Sequence, residues 1–464
     1  MADDAKKPLK ATDLALYAVA MTLSVRWIAT AAAAGPAALV MWVAAMIGFM
    51  APLVIATAEL AGRFDDDGGL YVWTRETLGP FWGFMCGWLY WTCNISYFSG
   101  LLVFIVNILA MAAPSPVGEI LKNPQLFLIV ALVISVMVAA MHLLGLGAGK
   151  WLSNFGAAAG FALLGVLVVA GATLSLKHGP ATDLIHADYL PKPTADIAIL
   201  WGTMVFAFGG PEALAFLRND VQGGIRKILQ VLAIVALLLT LAYLAGTTAI
   251  LSILSPGETG RLSGLPDAVN LSLGRLGVGY AAPFVLGLVG ISMLGGYSSW
   301  FGVAARLPFA AGVDDVLPKA FGKKDPKTGA PVASILVQSA AVIALVLLSQ
   351  SGGSGLKAAY DFLVAMSVLS YTLPFVFLFI VYIVAQKAPA PAHAWVPPGG
   401  RKTSLTIGWV GLVVALSAIL CTLVPSPDEL DKAGSVIKLV AASLVLAGAG
   451  AVFYGAAKRR KHRS

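Results

Sequence analysis

Apolar residues in this chain come in long unbroken runs, separated by short stretches rich in Gly, Pro and charge. Most runs reach about 20 residues, the length at which an α-helix crosses roughly 30 Å of hydrocarbon. A β-barrel would instead show short segments alternating between apolar and polar positions. The pattern predicts twelve spanning helices, at about residues 12–34, 36–60, 79–112, 126–144, 151–175, 195–217, 229–253, 281–303, 331–350, 359–386, 404–424 and 435–457.

Composition removes the soluble alternatives. With 59% hydrophobic and 12% charged residues and a mean hydropathy of +0.85, the apolar side chains exceed what a soluble core can hide. The expected class is an all-α integral membrane protein. The opening MADDAKKPLKATDL lacks the basic, short-apolar and small-residue succession of a cleaved signal, so the first run is expected to be retained as a span.

Charge sets the expected orientation. If both ends face the cytoplasm, 22 Lys and Arg fall in inner loops and tails and seven in outer loops. The positive-inside rule then places both termini in the cytoplasm of a multi-pass protein of the cell (inner) membrane. The net charge of +8 is accounted for by these loops and the tail KRRKHRS, which face lipid headgroups, so no nucleic-acid partner is expected. Cys86, Cys93 and Cys421 lie in apolar runs and are read as small hydrophobes.

Two runs carry an interruption near the middle. In "MTLSVRWIA", residues 21–29, the polar Thr22, Ser24 and Arg26 enclose Leu23 and Val25. Counting about 1.5 Å per residue from Asp13 puts Arg26 about 20 Å along the helix, near mid-bilayer. A charge there costs at least roughly 2.5–3.5 kcal/mol on insertion scales, and it usually meets a partner, a cavity or a substrate. The second, "FAFGGPEA" at 206–213, sets Gly209, Gly210 and Pro211 in succession. Glycine costs backbone entropy, and proline removes a donor and clashes with the preceding turn, so that helix is expected to break. Interrupted helices at matching positions in two halves point to a transporter's binding site. Spans one to five and six to ten have similar lengths, and each set opens on an interrupted helix. Arg26 and Glu212 fall at a similar depth and are expected as partners, with Arg26 either a brace between the two broken helices, the favoured reading, or a substrate ligand.

Residues 35–91, with AEL at 58–60, GGLYVW at 68–73, LGP and GFMCGW in order, resemble the second and third helices of the amino acid/polyamine/organocation permeases. "FAFGGPEA" resembles the sixth-helix break of that superfamily, and residues 312–334 the loop after its eighth helix. The resemblance covers residues 12 to about 385 and implies the leucine-transporter fold: ten helices in a 5+5 inverted repeat, plus two peripheral helices, twelve in all. The implied organisation is a cytoplasmic tail (1–11), a first repeat (12–176), an extracellular loop (177–194), a second repeat (195–386), a cytoplasmic linker (387–403), peripheral helices (404–457) and a basic tail (458–464).

By position, the resemblance sets a substrate site at Thr22, Leu23, Ser24, Val25 and Arg26 in the first helix and Phe206, Phe208, Gly209, Gly210 and Glu212 in the sixth, one of the two phenylalanines serving as a lid. Asn94 and Tyr97 on the third helix and Tyr297 and Ser298 on the eighth are the scaffold positions beside it. Two departures stand out. Most members carry a glycine-rich stretch in the first helix, whereas this chain has Thr22 to Arg26 there and resembles a subgroup with an arginine–tryptophan pair. The helix 5 lysine that replaces a sodium ion in some proton-coupled members is absent from "WLSNFGAAAGFALLGVLVVAGATLSL", leaving proton and sodium both open as coupling ions.

Glu59 at a helix end reads more readily as a local hydrogen-bonding group than as a proton site, and Ser367, Ser370 and Tyr371 are further polar positions on the tenth span. His142, His178 and His186 have no metal-ligand spacing, and no cofactor or metal is expected. No acid/base cluster at a membrane face suggests an enzyme, and no phosphate-binding loop supplies energy from ATP. The expected function is secondary active transport of a small amino acid or related amine across the lipid bilayer by alternating access. Polyamine or organocation transport and a transport-inactive amino-acid sensor are the alternatives. Polyamines are disfavoured because several charges in a dry cavity need several carboxylates, and the central spans offer Glu212 and Glu59.

Overall fold

The structure, a computed structural model, describes residues 11–64, 69–213, 224–260, 263–313, 316–351, 355–392, 394–425 and 431–461. Residues 1–10 of the expected N-terminal tail, 214–217 of the sixth span, 426–430 of the acidic outer loop and 462–464 of the basic tail lie outside the described residues.

The first expected span is two helices, α1 (Ala11–Thr22) and α2 (Arg26–Ala32). The second is α3 (Ala37–Ala45) and α4 (Ala51–Arg63), continuous through a wide π turn at Met46–Met50. Next come α5 (Gly69–Leu78), α6 (Pro80–Ala112), α7 (Val117–Leu121), α8 (Pro124–Leu143) and α9 (Leu146–His178). The second half holds α10 (Ala195–Ala207), α11 (Gly224–Ile253), α12 (Gly264–Arg275), α13 (Ala282–Ala304), α14 (Arg306–Val313), α15 (Val332–Ser351) and α16 (Gly355–Ala385). Two more helices follow, α17 (Gly400–Thr422) and α18 (Lys432–Lys461). Among the described residues no strand forms.

Nine helices among the described residues are long and apolar enough to cross a membrane. The expected spans outside that set are the two interrupted ones, whose halves are short, and Val332–Leu348, which is apolar but shorter. The short helices α5, α7, α12 and α14 were not anticipated as elements. They carry Gly, Pro or charge within short windows, and that composition reads as connection rather than span.

Local chemistry sets several boundaries. Pro124 opens α8 behind Asn123, whose side chain accepts from the Gln125 and Leu126 amides, and Thr194 caps α10 by accepting from the Ile197 amide. Both side chains meet donors that a helix start leaves unpaired. The helices then pack through small residues, as expected where lipid is as apolar as the side chains. Gly156 on α9 faces Gly295 on α13 so closely that a Cβ on Gly156 would lie 2.5 Å from the Gly295 Cα. Beside them Ser299 donates to Ser153 at 2.7 Å.

The core runs through α6, whose spanning window is 72% buried, against 28% for α17 and 11% for α18. The last two helices are therefore peripheral, and apolar residues such as Val413, Leu420, Leu444 and Val452 stay exposed on them.

Candidate functional site

Both interrupted helices break where the sequence predicted. α1 stops at Thr22 and α2 starts at Arg26, with Leu23, Ser24 and Val25 between them. α10 stops at Ala207; Gly209 and Gly210 leave the helix, and residues 211–213 form one tight turn. Gly210 takes φ +128°, a backbone conformation that strongly favours glycine. A Cβ on Gly210 would also lie 2.5 Å from Thr22 Cγ2, and one on Gly209 would collide with the Tyr371 ring. The glycines thus serve the close approach of the two breaks as well as the turn.

A break inside a membrane must satisfy the backbone groups it frees. Trp300 Nε1 donates to the Met21 carbonyl at 2.6 Å. The Tyr243 hydroxyl donates to the Thr22 carbonyl at 2.9 Å, lies 3.3 Å from the Ala207 carbonyl and accepts from the Ser24 amide at 3.4 Å. One phenol on α11 therefore reaches both breaks. Its ring stacks on Trp42 with centroids 4.2 Å apart, which fixes its direction. Phe208 packs edge-on against both of these rings.

Glu212 is buried at the second break. Its Oε1 accepts from the Tyr90 hydroxyl at 2.5 Å and the Tyr371 hydroxyl at 2.8 Å, and its Oε2 accepts from the Gly210 amide at 2.9 Å. All three partners present hydrogens to it, an arrangement suited to an ionised carboxylate. Glu212 ties α10 to α6 and α16, and among the described residues no ion pair joins it to Arg26. The pairing of these two that their similar depth in the sequence suggests does not form.

Arg26 is 1% exposed. Its guanidinium carbon lies 4.1 Å from the Trp27 ring centroid and 5.1 Å from that of Tyr97. Among the described residues its Nε and Nη1 have no hydrogen-bond partner.

Between the breaks lies a cavity lined by residues from α1, α2, α6, α10, α13 and α16 and from the two breaks. Of the sequence-predicted site residues, Thr22, Ser24, Asn94, Tyr97, Phe206 and Gly209 come together on this wall. Phe206 closes one side, edge-on against Trp27 at 5.5 Å and against Tyr371 at 5.0 Å. Arg26 adjoins the cavity through Trp27 and Tyr97, both of which are on the wall. Glu212 adjoins it through Tyr371.

The other predicted positions lie elsewhere. Leu23 and Val25 are buried in the core, Phe208 sits in the Trp42–Tyr243 cluster, and Gly210 serves Glu212. Tyr297 shares a hydrogen bond with Ser135 at 3.3 Å and packs on Phe98. Ser298 meets the buried His142, whose Nε2 lies 2.8 Å from the Ser298 carbonyl. Both face α8, because α13 turns Trp300, not its neighbours, toward the cavity. Sequence reasoning missed Met21, Cys93, Ala207 and Trp300 on the wall, and Tyr90 and Tyr243 behind it. Tyr90 was within reach, one turn before Asn94; nothing local marks Tyr243.

Glu59 stands apart from the cavity, in a clasp at the end of α4. It accepts from Arg63 at 2.7 Å, Tyr382 at 2.7 Å, Gln386 at 3.0 Å and Ser404 at 2.8 Å, joining α4, α16 and α17.

Residues 9–448 match the family model described as amino acid permease. An uncharacterized transporter of Legionella pneumophila is 25% identical over 425 residues, 90% of each chain. A probable agmatine/putrescine antiporter of Lactococcus lactis is 23% identical over 302 residues, 65% of this chain and 63% of its own. A polyamine transporter of Oryza sativa is 24% identical over 388 residues, 81% of this chain and 66% of its own.

Proposed function

The chain belongs to the amino acid permease family, and from that premise we propose that it is a secondary transporter carrying a small amino acid or related amine by alternating access through the cavity between the two helix breaks. The observation that carries this reading is the convergence of two interrupted helices on one cavity, with side chains from other helices satisfying the freed backbone. Thr22, Ser24, Asn94, Tyr97 and Phe206 are the proposed substrate contacts, with Phe206 as the lid. An interrupted helix supplies a hinge at the depth of the ligand, so rocking one half of each broken helix opens the cavity to one side at a time.

The proposal extends to the layout. Residues 12–176 and 195–386 form the two inverted repeats, residues 404–457 the peripheral pair, and both termini lie in the cytoplasm. The driving force is a gradient of substrate or of a proton or sodium ion.

Polyamine transport is the second reading, favoured by relatives described as polyamine and agmatine/putrescine carriers. Counterflow in proteoliposomes loaded with single amino acids or amines tests the proposal. Exchange of labelled substrate that depends on the internal species supports transport; a folded, reconstituted protein that exchanges none of them would instead be a sensor on the same scaffold.

A further inference from the structure

We propose that Arg26 is the anion receptor of the cavity and that recognition requires a carboxylate on the substrate, so that decarboxylated amines and polyamines are not ligands. This rests on the transport reading above and narrows its substrate class.

The first ground is the state of Arg26. A guanidinium does not lose its charge in a protein, and here it is 1% exposed within an apolar span with Nε and Nη1 unpartnered among the described residues. Buried polar groups are almost always hydrogen-bonded, and buried charges are almost always paired. Among the described residues the two carboxylates buried in the spans are committed elsewhere: Glu212 accepts from two tyrosines and an amide, and Glu59 is held by Arg63 and three neutral side chains. These two carboxylates thus leave Arg26 to another anion.

Geometry is the second ground. The guanidinium carbon sits 4.1 Å from the Trp27 centroid and 5.1 Å from that of Tyr97. Ring contacts stabilise the charge and hold the group without using its N–H donors. Nε and Nη1 keep N–H donors that no group among the described residues uses, and a carboxylate is the acceptor that pairs most strongly with such charged donors. Both rings belong to the cavity wall, so the charge lies beside it.

The third ground is what the wall lacks. None of its twelve residues is acidic. A polyamine would bring several positive charges beside a fixed cation with no carboxylate on the described wall to meet them, whereas a zwitterion offers its carboxylate to Arg26 and its ammonium to the faces of Tyr97, Phe206 and Trp300.

The test uses the full chain in detergent and in proteoliposomes, with natural amino acids, their methyl esters, and putrescine and agmatine as probes. The expected result is that at least one amino acid raises the melting temperature and drives counterflow while its methyl ester and the two amines do neither. Arg26→Gln should weaken that binding by about 10- to 100-fold, the span of a charged hydrogen-bonding contact, and should leave the ligand-free melting temperature unchanged or higher, because an unmatched buried charge has been removed. Esters or amines that bind as tightly as the amino acid would overturn the proposal without using any variant. So would unchanged affinity in Arg26→Gln. Carboxylate-dependent binding without counterflow would sustain the receptor and sink the transport reading; counterflow of putrescine that Arg26→Gln leaves intact would do the reverse.

Discussion

The Tyr243 hydroxyl donates to the carbonyl of Thr22 at 2.9 Å, closing the end of α1 from a helix more than two hundred residues away in the chain. The same oxygen reaches the Ala207 carbonyl and the Ser24 amide, so both breaks lean on one side chain. Tyr243→Phe keeps the stack on Trp42 and removes only the hydroxyl. Leaving buried backbone groups unsatisfied costs about 1–3 kcal/mol. Thermal unfolding in detergent should show that loss, and an unchanged melting temperature would contradict the bridging role.

A side chain at Gly209 or Gly210 would meet residues of the cavity wall itself. Gly210→Ala combines a positive φ with Thr22 Cγ2 at 2.5 Å, and Gly209→Ala drives a methyl into the Tyr371 ring. Both should abolish substrate binding, with Gly210→Ala the more destabilising. Gly165 on α9 has open space around it, so Gly165→Ala should be neutral or stabilising by up to about 1 kcal/mol. Ligand-induced melting shifts for the three variants check the contrast.

Glu212 accepts three hydrogen bonds and donates none. Glu212→Gln sets an amide NH₂ against some of those donors, and a loss of about 1–3 kcal/mol per orphaned group is expected. Tyr371→Phe removes one of the donors, so the double variant should be less destabilised than the sum of the singles. Strict additivity in a double-mutant cycle would show that the two side chains do not act together.

Helix existence was legible because apolar run length is fixed by bilayer thickness, and the second break because three adjacent residues each oppose a helix. The first break was legible only through Arg26, since Leu23 and Val25 are at home in a membrane helix. What could not be read was which way each helix turns. Tyr297, Ser298 and Trp300 share one helix, yet only Trp300 reaches the cavity, a matter of rotation set by the Gly156–Gly295 contact far along the chain. Tyr243 was invisible for a similar reason: its hydrogen-bond partners are backbone groups, which leave no trace in sequence. The proximity of Arg26 and Glu212 suggested a pair, but two tyrosines from α6 and α16 compete for that carboxylate and hold it.

Glu59 is expected to matter for stability rather than for recognition. Glu59→Gln breaks its ion pair with Arg63, which retains the Ala385 and Ala388 carbonyls as acceptors. The expected loss is about 1–3 kcal/mol, with ligand affinity unchanged. A variant of full stability whose transport had lost its dependence on pH would instead make Glu59 a proton site.

The most direct measurement is a density map of the protein with a saturating amino acid identified by counterflow. The expected result is ligand density between the two breaks, against Ser24, Asn94, Phe206 and Trp300, with its carboxylate at the edge of the Arg26 guanidinium. Density at another place in the fold, with this cavity still empty while transport proceeds, would contradict the assignment of the substrate site to the paired helix breaks.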